Sequence, residues 1–339
     1  MAHFRIRAAA ASDLQHLYEM AKLTGGGFTN LPADKPSLTT KLERSIAAFS
    51  RDGDFEPAEL FVLILENVET GEVRGTCQLF TAVGQTWPFY SYRMTTLTQH
   101  SVELKRTFRA EMLALVTDLE GSSEVGGLFL HPHERAGGLG MLLARSRYLF
   151  IAMHRQRFAE RNLAELRGII DERGGSPFWD GVAGRFFGMN FQEADYFNAI
   201  NGNQFIADLM PKHPVYVAML PETTRTAIGL PHPNGRAAMR MLEGEGFSYE
   251  GFIDIFDGGP TMTARTDKVE SIANAQAVQV VEICPPTGGS RALVATGHLT
   301  QFRCSFATIA TADGGIALDP EAAAALGVGV GDTVWWVAR

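Results

Sequence analysis

The chain has 339 residues, 45% of them apolar and 20% charged, with 38 acidic against 30 basic side chains and a net charge of −8. That composition is ordinary for a globular protein and excludes a disordered chain, which has too little apolar surface to bury. The acidity excludes a dedicated nucleic-acid binder, which needs a field that attracts phosphate, and the length predicts two or three domains.

In chain order, residues 4–7 read as a short strand, and Ser12-Asp13 caps a helix with Leu14, Leu17, Met20 and Ala21 at helical spacing. Thr24-Gly25-Gly26-Gly27 ends it, and a second helix is expected over 37–49. Segments 60–65 and 74–83 read as strands joined by the turn Glu69-Thr70-Gly71-Glu72. The aromatic stretch 87–94 and the residues up to about 117 suggest further strand and helix. Residues 124–130 form a buried strand by their apolar content, a long helix is expected from 139 to about 160, and 163–169 is the next strand. An internal echo follows. Helix-like 177–190 closes with Gly188 and Phe191 before an expected strand at 193–197, and helix-like 235–246 closes with Gly244 and Phe247 before a strand at 249–256. The echo leaves tandem duplication open. After Pro260 short strands at 278–283, 292–295, 301–309 and 333–337 surround one small helix at 320–326, which suggests a β-rich appendage of roughly 70 residues.

The compartment is read from two absences. No apolar run makes a signal h-region or approaches the roughly 18 residues needed to span a bilayer. The three cysteines, Cys77, Cys284 and Cys304, are widely spaced and form no Cys-x-x-Cys, which fits buried thiols in a reducing compartment. A cytoplasmic protein without a membrane partner is expected.

The chemistry concentrates at 124–150. A strand ending in Leu128-Phe129-Leu130 runs through His131-Pro132-His133-Glu134 into Arg135-Ala136-Gly137-Gly138-Leu139-Gly140 and then a helix. Glycines let backbone approach the oxygens of a pyrophosphate, and the helix N-terminus adds partial positive charge. A bare glycine turn is the bland alternative; the strand–loop–helix order favours phosphate. Residues 131–161 hold Arg135, Arg145, Arg147, Arg155, Arg157 and Arg161 against Glu134 and Glu160, a local excess of +4 that leaves −12 for the rest. Such arginines can attract a polyphosphate, although the distal three read better as a solvated helix face. His131-Pro132-His133 lacks the carboxylate or cysteine partners of a metal site, so no metal is expected.

The Arg-x-x-Gly-x-Gly spacing after a central strand, with a later helix, Gly-Phe and strand, resembles the acyl-CoA N-acyltransferase superfamily. Longer strings narrow the resemblance: Thr24-Gly25-Gly26-Gly27, Ser176-Pro177-Phe178-Trp179, residues 205–212, His232-Pro233, and Asp254-Ile255-Phe256-Asp257-Gly258-Gly259-Pro260. Together they resemble the arginine N-succinyltransferases over about residues 3–265. The resemblance implies an α/β (α+β) fold, a mixed sheet flanked by helices like that superfamily's, with an acyl-CoA-binding domain at 1–170, a second half completing the active site at 171–265, and a small β-rich domain at 266–339. It implies succinyl transfer from succinyl-CoA, a co-substrate and not a resident cofactor, to the α-amine of L-arginine. It places an acid/base histidine at His232 and a succinyl-CoA contact at Leu128, beside the loop residues Arg135, Ala136, Gly137, Gly138, Leu139 and Gly140. The family pattern has acidic residues where His131 and His133 stand, and fewer prolines before the histidine. Ornithine or another amine, and a silent CoA-binding subunit, are the alternatives; a homo-oligomer, or a hetero-oligomer with a paralogous chain, is expected.

The required chemistry fits. An α-amine with a pKa of about 8 is largely protonated at neutral pH, so the site must take up a proton and return one to the thiolate, and a histidine titrates in the range to do either. Pro231 and Pro233 stiffen the backbone around His232. Arg93 and Arg167, each on an expected strand, are candidates for the succinyl carboxylate. For the guanidinium of arginine the choice stays open among Glu124, Glu165, Asp195 and Asp254. The aromatic residues from Trp87 to Tyr92 either wall the substrate pocket or belong to the core.

Overall fold

The computed structural model describes residues 4–24, 30–53, 55–134, 137–202, 204–210 and 212–339. Its N-terminal part runs β1 (Phe4–Ala8), α1 (Leu14–Lys22), α2 (Lys35–Ser50), β2 (Leu60–Asn67), β3 (Val73–Phe80), β4 (Ser91–Ser101), β5 (Arg106–Val116), β6 (Ser123–Leu130), α3 (Leu139–Met153) and β7 (Arg161–Glu165). There follow α4 (Pro177–Gly181), α5 (Gly184–Phe187), α6 (Phe191–Asn201), α7 (Gln204–Leu209), β8 (Val215–Tyr216), α8 (Glu222–Arg225), α9 (Arg236–Gly244), β9 (Ser248–Ile253) and β10 (Pro260–Arg265). The chain closes with α10 (Glu270–Ala273), β11 (Gln276–Ile283), β12 (Ser290–Thr296), β13 (Arg303–Ala312), β14 (Gly315–Leu318), α11 (Pro320–Leu326) and β15 (Thr333–Ala338).

The strands β1-β2-β3-β6-β7-β10-β9-β4-β5-β8 lie in that order in one mixed sheet. Every neighbour in this stretch is antiparallel except β6 and β7, which are parallel and share only the pairs Ser123↔Asn162 and Glu124↔Leu163. Beyond those pairs the two strands separate. β6 bends there because a bulge interrupts it: the register with β3 passes from Gln78↔Gly126 to Thr76↔Phe129, so Cys77 alone stands opposite Gly127 and Leu128. Gly127 supplies the positive φ of +57° that the kink requires.

Helices cover both faces. On one face α2 starts where Asp34 accepts the Ser37 N–H at 2.8 Å and Pro36 fits the first turn. Its Leu38 and Leu42 bury against Leu60, Val62 and Ile64, each full burial contributing roughly 1.5–3 kcal/mol. On the other face α3 is mostly apolar and largely buried, with Arg145, Ser146 and Arg147 its polar side chains. It packs on the sheet and also on Leu293, Ala295, Phe306 and Val337 of the C-terminal strands and on Phe302 just before β13, in one shared core. Those strands close into a ring: β12 pairs with β15, then β11, β14 and β13 follow, and β13 returns to β12. Arg303 and Cys304 of β13 also pair with β1, so the ring is stitched to the main sheet.

Several expectations are corrected. Residues 91–116 form a two-stranded hairpin, β4 with β5, with no helix between. α3 stops at Met153, because His154 leaves helical geometry at φ −127°, ψ 37°. The strand expected at 193–197 is the body of α6: Asn190 and Glu193 form a reciprocal capping box that starts a helix there. The echo with 249–256 therefore does not extend to secondary structure, since Phe191 enters a helix and Phe247 leads into β9.

Candidate active site

The gap between β6 and β7 is bordered on one side by the glycine loop and on the other by the His232 loop. Gly137 and Gly138 adopt φ +75° and +83°, and Gly138 is the N-cap of α3, whose first turn carries no acidic side chain and no side-chain cap. Among the described residues the opening N–H groups of the helix have no side-chain cap and can meet an anion. Space beside Gly140 is open, the nearest atom to an added Cβ being Leu130 Cδ2 at 3.9 Å. The Leu139 side chain is buried in the core, so only its backbone faces the loop. Arg135 and Ala136 lie outside the described residues, as do Gly25, Gly26 and Gly27. Leu128 sits in the bulge, half-buried against the core.

The sequence did not point to Arg339. Its guanidinium stacks on Phe306 at 4.2 Å and stands where a Cβ on Gly138 would project. The C-terminal ring thereby brings a cation to the N-terminus of α3. The arginines in 145–161 play another part. Arg145 pairs with Glu245 at 2.9 Å, Arg155 with Asp267, and Arg157 is buried against Glu59 at 2.9 Å. Arg147 donates to the Gly126 and Ala144 carbonyls, and Arg161 to that of Asp118. These arginines join elements to one another. The expectation that they draw in a polyphosphate is corrected, and Arg157 is no solvated helix residue.

His232 is fixed across the gap. Its N–H donates to the Arg167 carbonyl at 2.7 Å, and its Nδ1 accepts the Asn234 N–H at 3.2 Å. Gly229 N–H, bonded to the Gly258 carbonyl, ties the loop to the turn between β9 and β10. Desolvation and then the positive Arg167 push the imidazole below its ordinary pKa, so the neutral ring is favoured. Arg167 is the neighbour of His232, and its Nε is buried without a hydrogen-bond partner among the described residues. Arg93 lies farther along the sheet, paired with Asp118 at 3.0 Å and stacked over Phe252 at 5.1 Å. Tyr92 is core, edge-on to Phe178, while Trp87 is largely exposed. His131 and His133 stand ring-to-ring at 5.0 Å beside the loop.

Of the four acidic candidates, three converge. Burial first, then Asp254, Glu124 and Asp257, drive the Glu165 carboxyl well above the carboxylate range. Asp254 accepts the N–H groups of Phe256 and Asp257, and Asp257 those of Gly168 and Gly259, so both hold the turn. Glu124 accepts from Asn30 at 3.2 Å. Asp195 lies on α6 and is not among the groups acting on Glu165.

Comparison with known proteins agrees with this architecture. Residues 4–271 match the family described as arginine N-succinyltransferase beta subunit, and 276–338 match its C-terminal domain. Arginine N-succinyltransferases of Citrobacter koseri and of Salmonella paratyphi B are each 43% identical, over 88% of this chain and 87% of theirs. The solved structure of arginine/ornithine succinyltransferase subunit AI from Pseudomonas aeruginosa superposes with a TM-score of 0.89 at 34% identity, covering 99% of this chain and 98% of that one. No helix among the described residues is long and apolar enough to cross a membrane. A split parallel strand pair, a glycine-led helix and a pinned histidine, on a chain matched from end to end, make this protein a member of the arginine N-succinyltransferase beta subunit family.

Proposed function

We propose that this chain transfers the succinyl group of succinyl-CoA to the α-amine of L-arginine, releasing CoA, in the cytoplasm where that thioester is available. The observation that carries the reading is the gap between β6 and β7, with phosphate-binding geometry on one rim and a histidine anchored on the other. The diphosphate meets the N–H groups at Gly138, Leu139 and Gly140, with Arg339 beside them. The thioester lies in the gap, its carbonyl oxygen toward backbone N–H left out of the ladder at Gly127 and Leu128, which stabilises the oxyanion as it forms. Arg167 pairs with the far carboxylate of the succinyl group.

The amine must arrive neutral. Its nitrogen bonds to the thioester carbon, the C–S bond then breaks, the ammonium proton leaves, and the thiolate regains a proton as CoA thiol. In the neutral ring Nδ1 is engaged by Asn234, so the proton sits on Nε2. To accept the amine's proton at Nε2 the ring must take the other tautomer and give up that 3.2 Å bond, at a cost of about 1 kcal/mol. A depressed pKa keeps the ring a competent acceptor to lower pH. Ornithine is the second reading, favoured by the Pseudomonas relative, whose name includes both amino acids. Names of relatives as subunits support assembly with further chains, which light scattering of the purified protein tests. Thiol release is measured with succinyl-CoA or acetyl-CoA against arginine or ornithine. Turnover greatest with succinyl-CoA and arginine is expected; turnover with ornithine and none with arginine overturns the assignment.

A further inference from the structure

We infer that the carboxylate of Glu165, with the hydroxyl of Thr261 beside it, receives the guanidinium of the acceptor amino acid in the crevice that opens between β6 and β7. The inference rests on the proposed function for the location of the acceptor and adds the group that selects it.

Register places the two side chains. Glu165 is the Cα partner of Thr261, Thr261 of Phe252, and Phe252 of Arg93, so the four form a transverse row on one face of the sheet. Glu165 ends β7 at the rim of the gap, two residues beyond Leu163, the last residue paired with β6. Among the described residues the Glu165 carboxylate makes no hydrogen bond or ion pair, and the residue is largely buried but keeps some solvent exposure. Thr261 is fully buried, and its Oγ1 has no partner among the described residues. A buried hydroxyl without a partner is costly; here it lies beside an unpaired carboxylate at the edge of a cleft. That pair offers a guanidinium one charge-assisted and one neutral acceptor.

The surroundings call for a cation. Glu124 from β6 and Asp254 and Asp257 from the β9–β10 turn all act on Glu165 as like charges. The bases nearby are otherwise occupied. Lys41 of α2 donates to the Asn30 carbonyl and Gln78 and acts on Glu124, as does Arg147 of α3. Arg167 faces Asp257 and His232. Among the described residues no three carboxylates come close enough to chelate a metal ion, which favours an extended organic cation. A guanidinium entering this crevice lowers the proton affinity of Glu165, so at a pH where its carboxyl is protonated binding releases that proton to the buffer.

The test is calorimetric, on the full chain loaded with CoA, titrated with L-arginine, its neutral isostere L-citrulline, and L-ornithine. Wild type is expected to bind arginine about 10- to 100-fold more tightly than citrulline, releasing protons as shown by two buffers of different ionisation heat. Glu165→Gln is expected to reduce that preference to within about threefold and abolish proton release while CoA affinity stays unchanged. Gln resembles the protonated carboxyl in shape and forfeits no hydrogen bond or ion pair among the described residues, so the variant's Tm does not fall. Thr261→Val, which breaks no hydrogen bond among the described residues, is expected to weaken arginine about 3- to 10-fold. An arginine-over-citrulline preference that persists in Glu165→Gln overturns the inference, and so does tighter binding of ornithine than of arginine. If wild type binds arginine in this way but releases no thiol from succinyl-CoA, the proposed reaction fails and the subsite stands.

Discussion

Replacing Gly127 by alanine tests whether the bulge in β6 shapes the reaction centre. At φ +57° an alanine is strained by roughly 1–2 kcal/mol. Its Cβ would also lie 2.7 Å from Gln78 Cδ and 2.9 Å from Cγ, closer than packed carbons allow, so Gln78 must move. Gln78 donates to the Asn30 carbonyl at 2.8 Å and accepts from Lys41 at 3.2 Å, and losing these adds about 1 kcal/mol each at most. The sum is about 1–4 kcal/mol. For 339 residues the unfolding entropy is about 0.7 kcal/mol per kelvin, so Tm should fall by about 1–6 °C. The catalytic effect should be larger in proportion, because displacing one oxyanion donor lowers kcat about 10²- to 10³-fold. Gly71→Ala is the control: it has φ +71° and nothing within 4 Å of an added Cβ, so it carries the conformational cost alone. Thermal melts and thiol-release kinetics on both variants decide. A Gly127→Ala enzyme whose kcat drops no further than that of Gly71→Ala would refute a role for the bulge in the chemistry.

Three further outcomes follow from the same geometry. His232→Ala should lower thiol release at neutral pH by about 10²- to 10⁴-fold. The deficit should narrow as pH rises and the amine loses its proton unaided, and a deficit independent of pH would contradict a proton-handling role. Gly138→Asp introduces a negative charge at the N-cap of α3 and a side chain where Arg339 stands, so KM for succinyl-CoA should rise at least about tenfold with little change in the affinity for arginine. His154 is buried, and its pKa is lowered from 6.5 to about 4, chiefly by desolvation. The unfolded chain therefore binds the proton first as pH falls. Stability present above about pH 6.5 is lost progressively towards pH 4, by about 3 kcal/mol; urea unfolding of His154→Gln should show a flatter acid limb, and an unchanged slope would count against this account.

What the sequence revealed depended on whether a signal was local. α11 is legible to the residue, because Asp319 caps it, Pro320 opens it, and Gly327 closes it at φ +70°. The hairpin β4–β5 was half-hidden: beyond Arg93 most of β4 is exposed on both faces, so no alternation marks it as a strand. α6 carried a readable capping box at Asn190 and Glu193, outweighed by the apparent repeat of Gly and Phe. The glycine loop and His232 were singled out by strings and spacing. Their placement across one gap could not be, since it depends on a parallel pairing of β6 and β7 only two residues long. Choosing among the acidic candidates needed tertiary structure for the same reason. Asp254 and Glu165 are equal as letters, and only the fold gives one to a turn and leaves the other unpaired among the described residues. Arg339 reaches α3 through ring closure of the C-terminal strands, which no local pattern encodes.

The net charge of −8 acquires meaning from two residues, one ending β7 and one just beyond it. Glu165 and Arg167 are separated by one residue, hence by about 6–7 Å along an extended chain, with Leu166 between them turned into the core on the opposite face. Under the proposed reaction these charges address opposite ends of the two substrates: Arg167 the carboxylate of the succinyl group, Glu165 the guanidinium of arginine. The reacting carbon and nitrogen lie between those ends in both molecules. A strand that fixes the two counter-charges therefore fixes the approach of amine to thioester, an orientational gain that a flexible loop could not supply. The positive charge counted around the phosphate loop does no such work, because Arg145, Arg155 and Arg157 are neutralised by Glu245, Asp267 and Glu59. Under that reaction the position of single charges against strand register, and not their regional excess, selects the substrates.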